Sequence, residues 1–219
     1  MMQLKTQRSA LSPTGLLVIC VLIAFAGWFK LLLPITFTYL VDYLQRAVII
    51  VLIVAYGGFR FRTSAPVFTR RVVMPTAGVI LVTLALFYIQ HRTWVSLPIL
   101  GDRTYHFYMI DSGLLFVFDM TVGLLLVAVS EELLFRYLFV RTFPSSMKLQ
   151  YFLSVLLFGF LHTPQGWYAV AVTGATGVLD MWLYRKTQTL VAPIASHYVV
   201  DLVIFSGFLY AVSGPSVGG

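Results

Sequence analysis

Long apolar runs separated by short polar joints organise this chain. They fall at roughly residues 15–35, 44–59, 72–90, 113–140, 148–163, 166–184 and 188–211. A helix needs about 20 apolar residues to cross a ~30 Å hydrocarbon core. The pattern therefore predicts an all-α, polytopic helical membrane protein with about seven transmembrane helices. The second run is short, with Asp42 and Arg46 near one end. A polar loop from His91 to Asp111 sets three runs apart from four. The expected organisation is residues 1–110 as N-terminal membrane helices of unassigned role, 111–212 as a core, and 213–219 as a tail.

Composition agrees with that reading. Of 219 residues, 59% are hydrophobic and 11% charged, and the mean hydropathy is +0.90. A soluble domain carries about 25% charge to wet its surface, so a water-soluble globule is excluded. The apolar content also excludes disorder. The 15 Lys and Arg residues are dispersed, whereas a nucleic-acid face clusters them; no nucleic-acid partner is expected. The one cysteine, Cys20, allows no internal disulfide.

Residues 1–14 are polar and basic, and further apolar runs follow them, which predicts a retained anchor rather than a cleaved signal peptide. With the N-terminus inside, the inner loops hold Lys5, Arg8, Arg60, Arg62, Arg70, Arg71, Arg141, Lys148, Arg185 and Lys186, and the outer loops Lys30, Arg46, Arg92 and Arg103. The positive-inside rule then predicts a cytoplasmic N-terminus; a cell (inner) membrane is the expected location, with the endoplasmic reticulum left open by the sequence.

Ionisable groups within hydrocarbon are costly and mark function by default. The last four runs contain Asp119, Glu131, Glu132, Arg136, His162, Asp180, His197 and Asp201. This asymmetry predicts that the C-terminal half carries chemistry and the N-terminal half supports it. Glu132 and Arg136 are four apart and share a helix face. They form either an assisting pair or one that only fixes packing. Glu131 points about 100° away and has Phe135, not a cation, four residues on; a carboxyl without a local partner suits a general base. Phe158 lies one turn before His162, where Thr163-Pro164 ends the helix. His197 and Asp201 share another face, and a carboxylate beside an imidazole fixes its tautomer. Asp119 and Asp180 receive no role.

Depth draws these groups together. Glu131, His162 and His197 stand ten, fourteen and eleven residues from Arg141, Lys148 and Lys186, or roughly 15, 21 and 16 Å along their helices. One shared, water-containing cavity accounts for that common layer. Small residues in the sixth run, Ala171/Ala175 and Thr173/Gly177, would let helices approach closely.

A glutamate with two histidines inside a membrane points to hydrolysis by activated water, with other donors for the oxyanion. Residues after the four histidines (Arg92, Phe107, Thr163, Tyr198) rule out a His-Glu-x-x-His zinc motif. Gly-x-Ser occurs only at Gly214–Ser216 and Gly-Asp only at Gly101-Asp102, against rhomboid-type serine and presenilin-type aspartyl chemistry.

Glu131-Glu132-x-x-x-Arg136, Phe158-x-x-x-His162 and His197-x-x-x-Asp201, in that order on helices, resemble the three-motif signature of the CPBP family. These are the CAAX prenyl endopeptidases and bacteriocin-processing or immunity-associated membrane proteases, also called ABI. The stretch Leu183–His197 resembles the family's approach to its third motif, and the similarity spans about residues 113–205. The resemblance implies an intramembrane glutamic endopeptidase acting on a membrane-associated protein or peptide, with its core at 111–212. Glu131 and His162 would activate water, and His197 with the residue at 201 would face the oxyanion. Glu132, Arg136 and Phe158 would be structural or assisting. Asn is usual where this chain has Asp201, and an ionised Asp cannot donate to an oxyanion. Asp201 is then protonated, or orients His197, or marks an impaired member. The family is regarded as metal-independent, so no cofactor is expected; zinc on Glu131, His162 and His197 is kept as a variant. A catalytically silent scaffold or immunity-type protein acting by partner binding is the alternative from another class, and a proton-relaying transporter ranks behind both.

Overall fold

A computed structural model describes residues 11–59, 68–93 and 112–208. Among these residues it is all-helical, with seven main helices. Helix α1 (Pro13–Ala26) starts where the Ser12 hydroxyl accepts from the Gly15 amide at 3.0 Å and Pro13 occupies the first turn. A 3-10 segment, Gly27–Leu32, prolongs it up to the break before Pro34. Helix α2 is Ile35–Tyr56, and α3 is Arg70–Thr93, with Pro75 inside it. The continuous helix α4, Gly113–Thr142, follows. Ser146 caps α5 (Met147–Leu161), accepting from the Leu149 amide. Helix α6 is Trp167–Thr187, ended by Gln188 in the left-handed conformation, and α7 is Val191–Phe205.

Two boundaries differ from expectation. Helix α2 begins at Ile35 rather than 44, so Asp42 and Arg46 lie within it. They form an i,i+4 ion pair at 2.8 Å, which lets two charges sit inside an apolar helix. Lys30, counted as an outer-loop residue, belongs to the 3-10 segment. The segment 1–10, the loop around the division at 110/111 and the tail 213–219 lie outside the described residues.

Helix α4 is not a uniform rod. It passes through π-helical stretches at Asp119–Gly123 and Leu133–Leu138. Such π-bulges insert an extra residue into a turn and redirect the side chains that follow. The second lies directly after Glu131-Glu132 and contains Arg136.

This part of α4 is the hub of the core. Leu133, Leu134, Phe135 and Arg136 are at most 1% exposed. Leu16, Leu17 and Cys20 of α1, Ile49 and Ile53 of α2, Phe158 of α5 and Met181 of α6 pack in the same cluster. Helix α3 covers α6 and α7, with Val72 and Val79 against Leu183 and Ala192. Helices α5 and α6 approach so closely at Gly159 that a Cβ there would sit 2.9 Å from the Val170 carbonyl oxygen. Of the two small-residue pairs expected to mediate contact, Thr173/Gly177 is inward-facing, and Gly177 backs onto the Phe158 ring. Ala171 and Ala175 face outward.

Polarity is inverted relative to a soluble protein. Leu22, Phe29, Leu40, Val51, Leu81 and Phe152 are more than half exposed, whereas Asp42, Glu131, Glu132 and Arg136 are buried. An apolar outside around a charged inside suits hydrocarbon as the solvent. Pro13–Leu32, Phe37–Tyr56, Arg70–Gln90 and Gly113–Thr142 are long and apolar enough to span a membrane. The apolar helices α5 and α7 have 15 residues each, about 22 Å of rise. The protein is a polytopic, integral helical membrane protein.

Candidate active site

Helix α4 and its neighbours line a cavity of about 290 Å³. A water occupies about 30 Å³ in the liquid, so several fit. Glu131 from α4, His162 at the end of α5, and His197 and Asp201 from α7 all line this cavity. Lys30, Asp42, Gln45 and Arg46 from the N-terminal half line it too.

The two adjacent glutamates have separate environments because successive residues on a helix point about 100° apart. Glu131 is 5% exposed and meets a cation after all. Its Oε1 accepts from Arg46 Nη1 at 2.8 Å, across 85 residues of sequence. Glu131 has no partner on its own helix; the cation that pairs with it comes from α2. Its other oxygen, Oε2, is buried, has no hydrogen-bond partner, and lies 3.8 Å from His197 Nε2.

Glu132 is fully buried and works in the opposite direction. Its Oε2 is 3.0 Å from Arg136 Nε, and its Oε1 is 2.9 Å from His197 Nδ1. An ionised carboxylate only accepts, so the His197 ring donates at Nδ1. Nε2 of the same ring is left facing Glu131 and Asp201, whose Oδ2 is 3.4 Å away. Arg136 also approaches Asp180, at 3.7 Å, and its Nη1 donates to the Ser154 hydroxyl at 3.4 Å.

His162 caps α5, with φ −93° and ψ 9°. Its Nδ1 lies 2.9 Å from the Phe158 carbonyl oxygen. That carbonyl can only accept, so Nδ1 donates, and Nε2 of a neutral ring is an acceptor. Phe158 forms the floor between the two imidazoles. Its ring is edge-on to His162 at 5.1 Å and to His197 at 6.1 Å, and the Arg136 guanidinium lies 4.8 Å above it.

The structure thus brings Glu131, His162, His197, Asp201 and Phe158 to one cavity, with Glu132 and Arg136 packed behind them. Sequence reasoning missed the contribution of the N-terminal half. Asp42 bridges Lys30 and Arg46, and Arg46 bridges to Glu131. Alternating charges therefore run Lys30–Asp42–Arg46–Glu131 into the site. The Asp42-x-x-x-Arg46 spacing inside an apolar run was the available signal. Asp119, given no role, accepts from the Tyr43 hydroxyl at 2.5 Å and ties α4 to α2.

A zinc ion would need three donors converging within bonding distance. Among the described residues, no group of three His, Cys, Asp or Glu side chains is so arranged, and Glu131 Oε1 is already held by Arg46.

Residues 113–203 match the family model of the type II CAAX prenyl endopeptidase Rce1-like proteins. No curated protein and no solved structure matches the chain. The matched segment holds α4 to α7 as far as Val203; Lys30, Asp42 and Arg46 lie outside it.

Proposed function

We propose that this chain, whose residues 113–203 match the Rce1-like family model, hydrolyses a peptide bond of a membrane-associated protein or peptide inside the cavity described above. The supporting observation is the unpartnered Oε2 of Glu131, buried beside His197 in a cavity shared with His162.

The chemistry follows from donor and acceptor capacity. Water has two hydrogens to donate. Glu131 Oε2 and His162 Nε2 are both acceptors, so one water donating to each turns a lone pair toward the substrate carbonyl. As that oxygen bonds to the carbonyl carbon, its proton passes to Glu131. A His197 ring protonated at both nitrogens donates Nδ1–H to Glu132 and Nε2–H to the developing oxyanion. Asp201, one helical turn away on the same face, orients this ring; that is the role we assign among the three its identity leaves open. When the C–N bond breaks, Glu131 returns its proton to the leaving amine, and the products are a carboxylic acid, which keeps the second proton of the water, and an amine.

We also infer a cytoplasmic N-terminus in a cell membrane. The support is the charge bias read from the sequence, with ten basic residues on the inner side against four on the outer.

Purified protein tests the assignment. Glu131→Gln keeps shape but cannot take up the proton, and loss of a general base costs about 10²–10⁴-fold. Loss of cleavage with an unchanged melting profile supports the reading; unchanged turnover refutes it. The silent-scaffold reading draws on Asp201, and it prevails if alanine at both Glu131 and His162 leaves the cellular phenotype intact.

A further inference from the structure

We infer that Arg46, from the N-terminal half and outside the family match, is the positioning residue of the site: it holds one oxygen of Glu131 so that the other is presented to the cavity. This rests on the hydrolytic reading above and extends it to the half of the chain that had no assigned role.

Arg46 is gripped on both sides. Its Nε donates to Asp42 Oδ2 at 2.8 Å, one helical turn back on α2. Its Nη1 donates to Glu131 Oε1 at 2.8 Å and approaches the Ser130 hydroxyl at 3.2 Å. Asp42 and Glu131 are each 5% exposed and Ser130 is 1% exposed. The second oxygen of Asp42 is taken by Lys30, so the anchor of Arg46 is itself anchored.

A glutamate carboxyl turns freely about its last bond, because that torsion is broad and two-fold. A water-activating oxygen must nevertheless keep one direction, and small misplacements cost catalysis heavily. Fixing Oε1 removes the freedom. Oε2 is then directed toward His197 Nε2 at 3.8 Å, with no hydrogen bond of its own. A planar guanidinium can serve the Asp42 and Glu131 carboxylates with separate nitrogens, whereas a lysine is a single point donor.

A plain clamp between α2 and α4 would use the same ion pair, so the test must separate positioning from tethering. Dicyclohexylcarbodiimide partitions into membranes and modifies buried carboxyls not tied to a cation. The adduct is read by peptide mass spectrometry at Glu131, Glu132 and Asp180 in protein held in detergent micelles. Wild-type Glu131 is expected to resist. In Arg46→Ala, labelling at Glu131 should rise at least about tenfold, the equivalent of one charge-assisted hydrogen bond, while Glu132 and Asp180 stay at wild-type levels. Guanidinium ion added at millimolar concentration should restore protection and, in a cleavage assay, recover kcat without changing KM.

Equal labelling of Glu131 in wild type and Arg46→Ala overturns the proposal. So does a uniform rise at all three carboxyls that guanidinium does not reverse, which is the behaviour of a clamp. If Arg46→Ala does not fold, Arg46→Gln, which keeps length and hydrogen bonding without the charge, carries the same comparison. Labelling needs no substrate, so its outcome stands apart from whether wild-type protein cleaves any peptide.

Discussion

Oε1 of Glu132 lies 2.9 Å from Nδ1 of His197, so the second glutamate of the pair sets the ring that faces the first. The same carboxyl holds Arg136 at 3.0 Å, and one buried side chain joins α4 to α7 while neutralising its own helix neighbour. Removing it leaves a guanidinium that is 0% exposed with Asp180, at 3.7 Å, as its remaining counter-charge. Breaking a buried pair costs about 3–5 kcal/mol, so Glu132→Ala should lower the melting midpoint in detergent by roughly 6–20 °C. Glu132→Gln keeps an acceptor for Nδ1 and should lose less. Equal midpoints for wild type and Glu132→Ala would show that the pair contributes nothing.

The spacing Glu132/Arg136 was legible because both residues belong to one helix, and i,i+4 geometry is local. The seven helices were legible because each is an apolar run bounded by polar joints, although among the described residues only four are long and apolar enough to span a membrane. The resemblance to the CPBP family was legible from three motifs in order, and residues 113–203 match the Rce1-like family model. Arg46 against Glu131 was not legible, because that contact spans 85 positions and depends on how α2 packs on α4. Reading α2 from 44 also concealed it, by placing Arg46 at a helix end instead of inside. The π-helical stretch at Leu133–Leu138 left no trace either, as its residues are ordinary helix formers.

Asp201 departs from the Asn usual in the CPBP signature, and its Oδ2 sits 3.4 Å from His197 Nε2. Asp201→Asn retains an acceptor oxygen for the ring and adds an amide donor to the cavity. Turnover should hold within about threefold or rise, whereas Asp201→Ala should lose at least about tenfold, the scale of one hydrogen bond to a charged group. Initial rates for the two variants decide this. Equal losses would remove the orienting role assigned to Asp201.

Gly159 sets the spacing of α5 and α6, as a Cβ there would lie 2.9 Å from backbone oxygen of Val170. Backbone cannot swing aside as a side chain can. Gly159→Ala should destabilise the protein by about 1–3 kcal/mol and reduce turnover through displacement of Phe158 and His162 on the same helix. Gly78→Ala, with nothing within 4 Å, is the control and should be neutral or slightly stabilising in a helix. Comparable midpoints for the two variants would contradict the packing described.

Metal dependence is open to a direct check. Arg46 holds one oxygen of Glu131, and among the described residues no group of three His, Cys, Asp or Glu side chains is arranged to hold a metal. Prolonged treatment with phenanthroline or EDTA should leave turnover unchanged, and elemental analysis of active protein should find less than one zinc per chain. Chelator-sensitive activity restored by zinc would require a different arrangement of these side chains.

The central claim is that a carboxylate and two imidazoles around one cavity carry out peptide hydrolysis. Its most direct measurement is a comparison of new peptide termini in membranes containing wild-type protein or Glu131→Gln at equal abundance. At least one terminus should be present with wild type, absent with Glu131→Gln, and likewise absent with His162→Ala. Identical sets of termini in all three membranes would contradict the account.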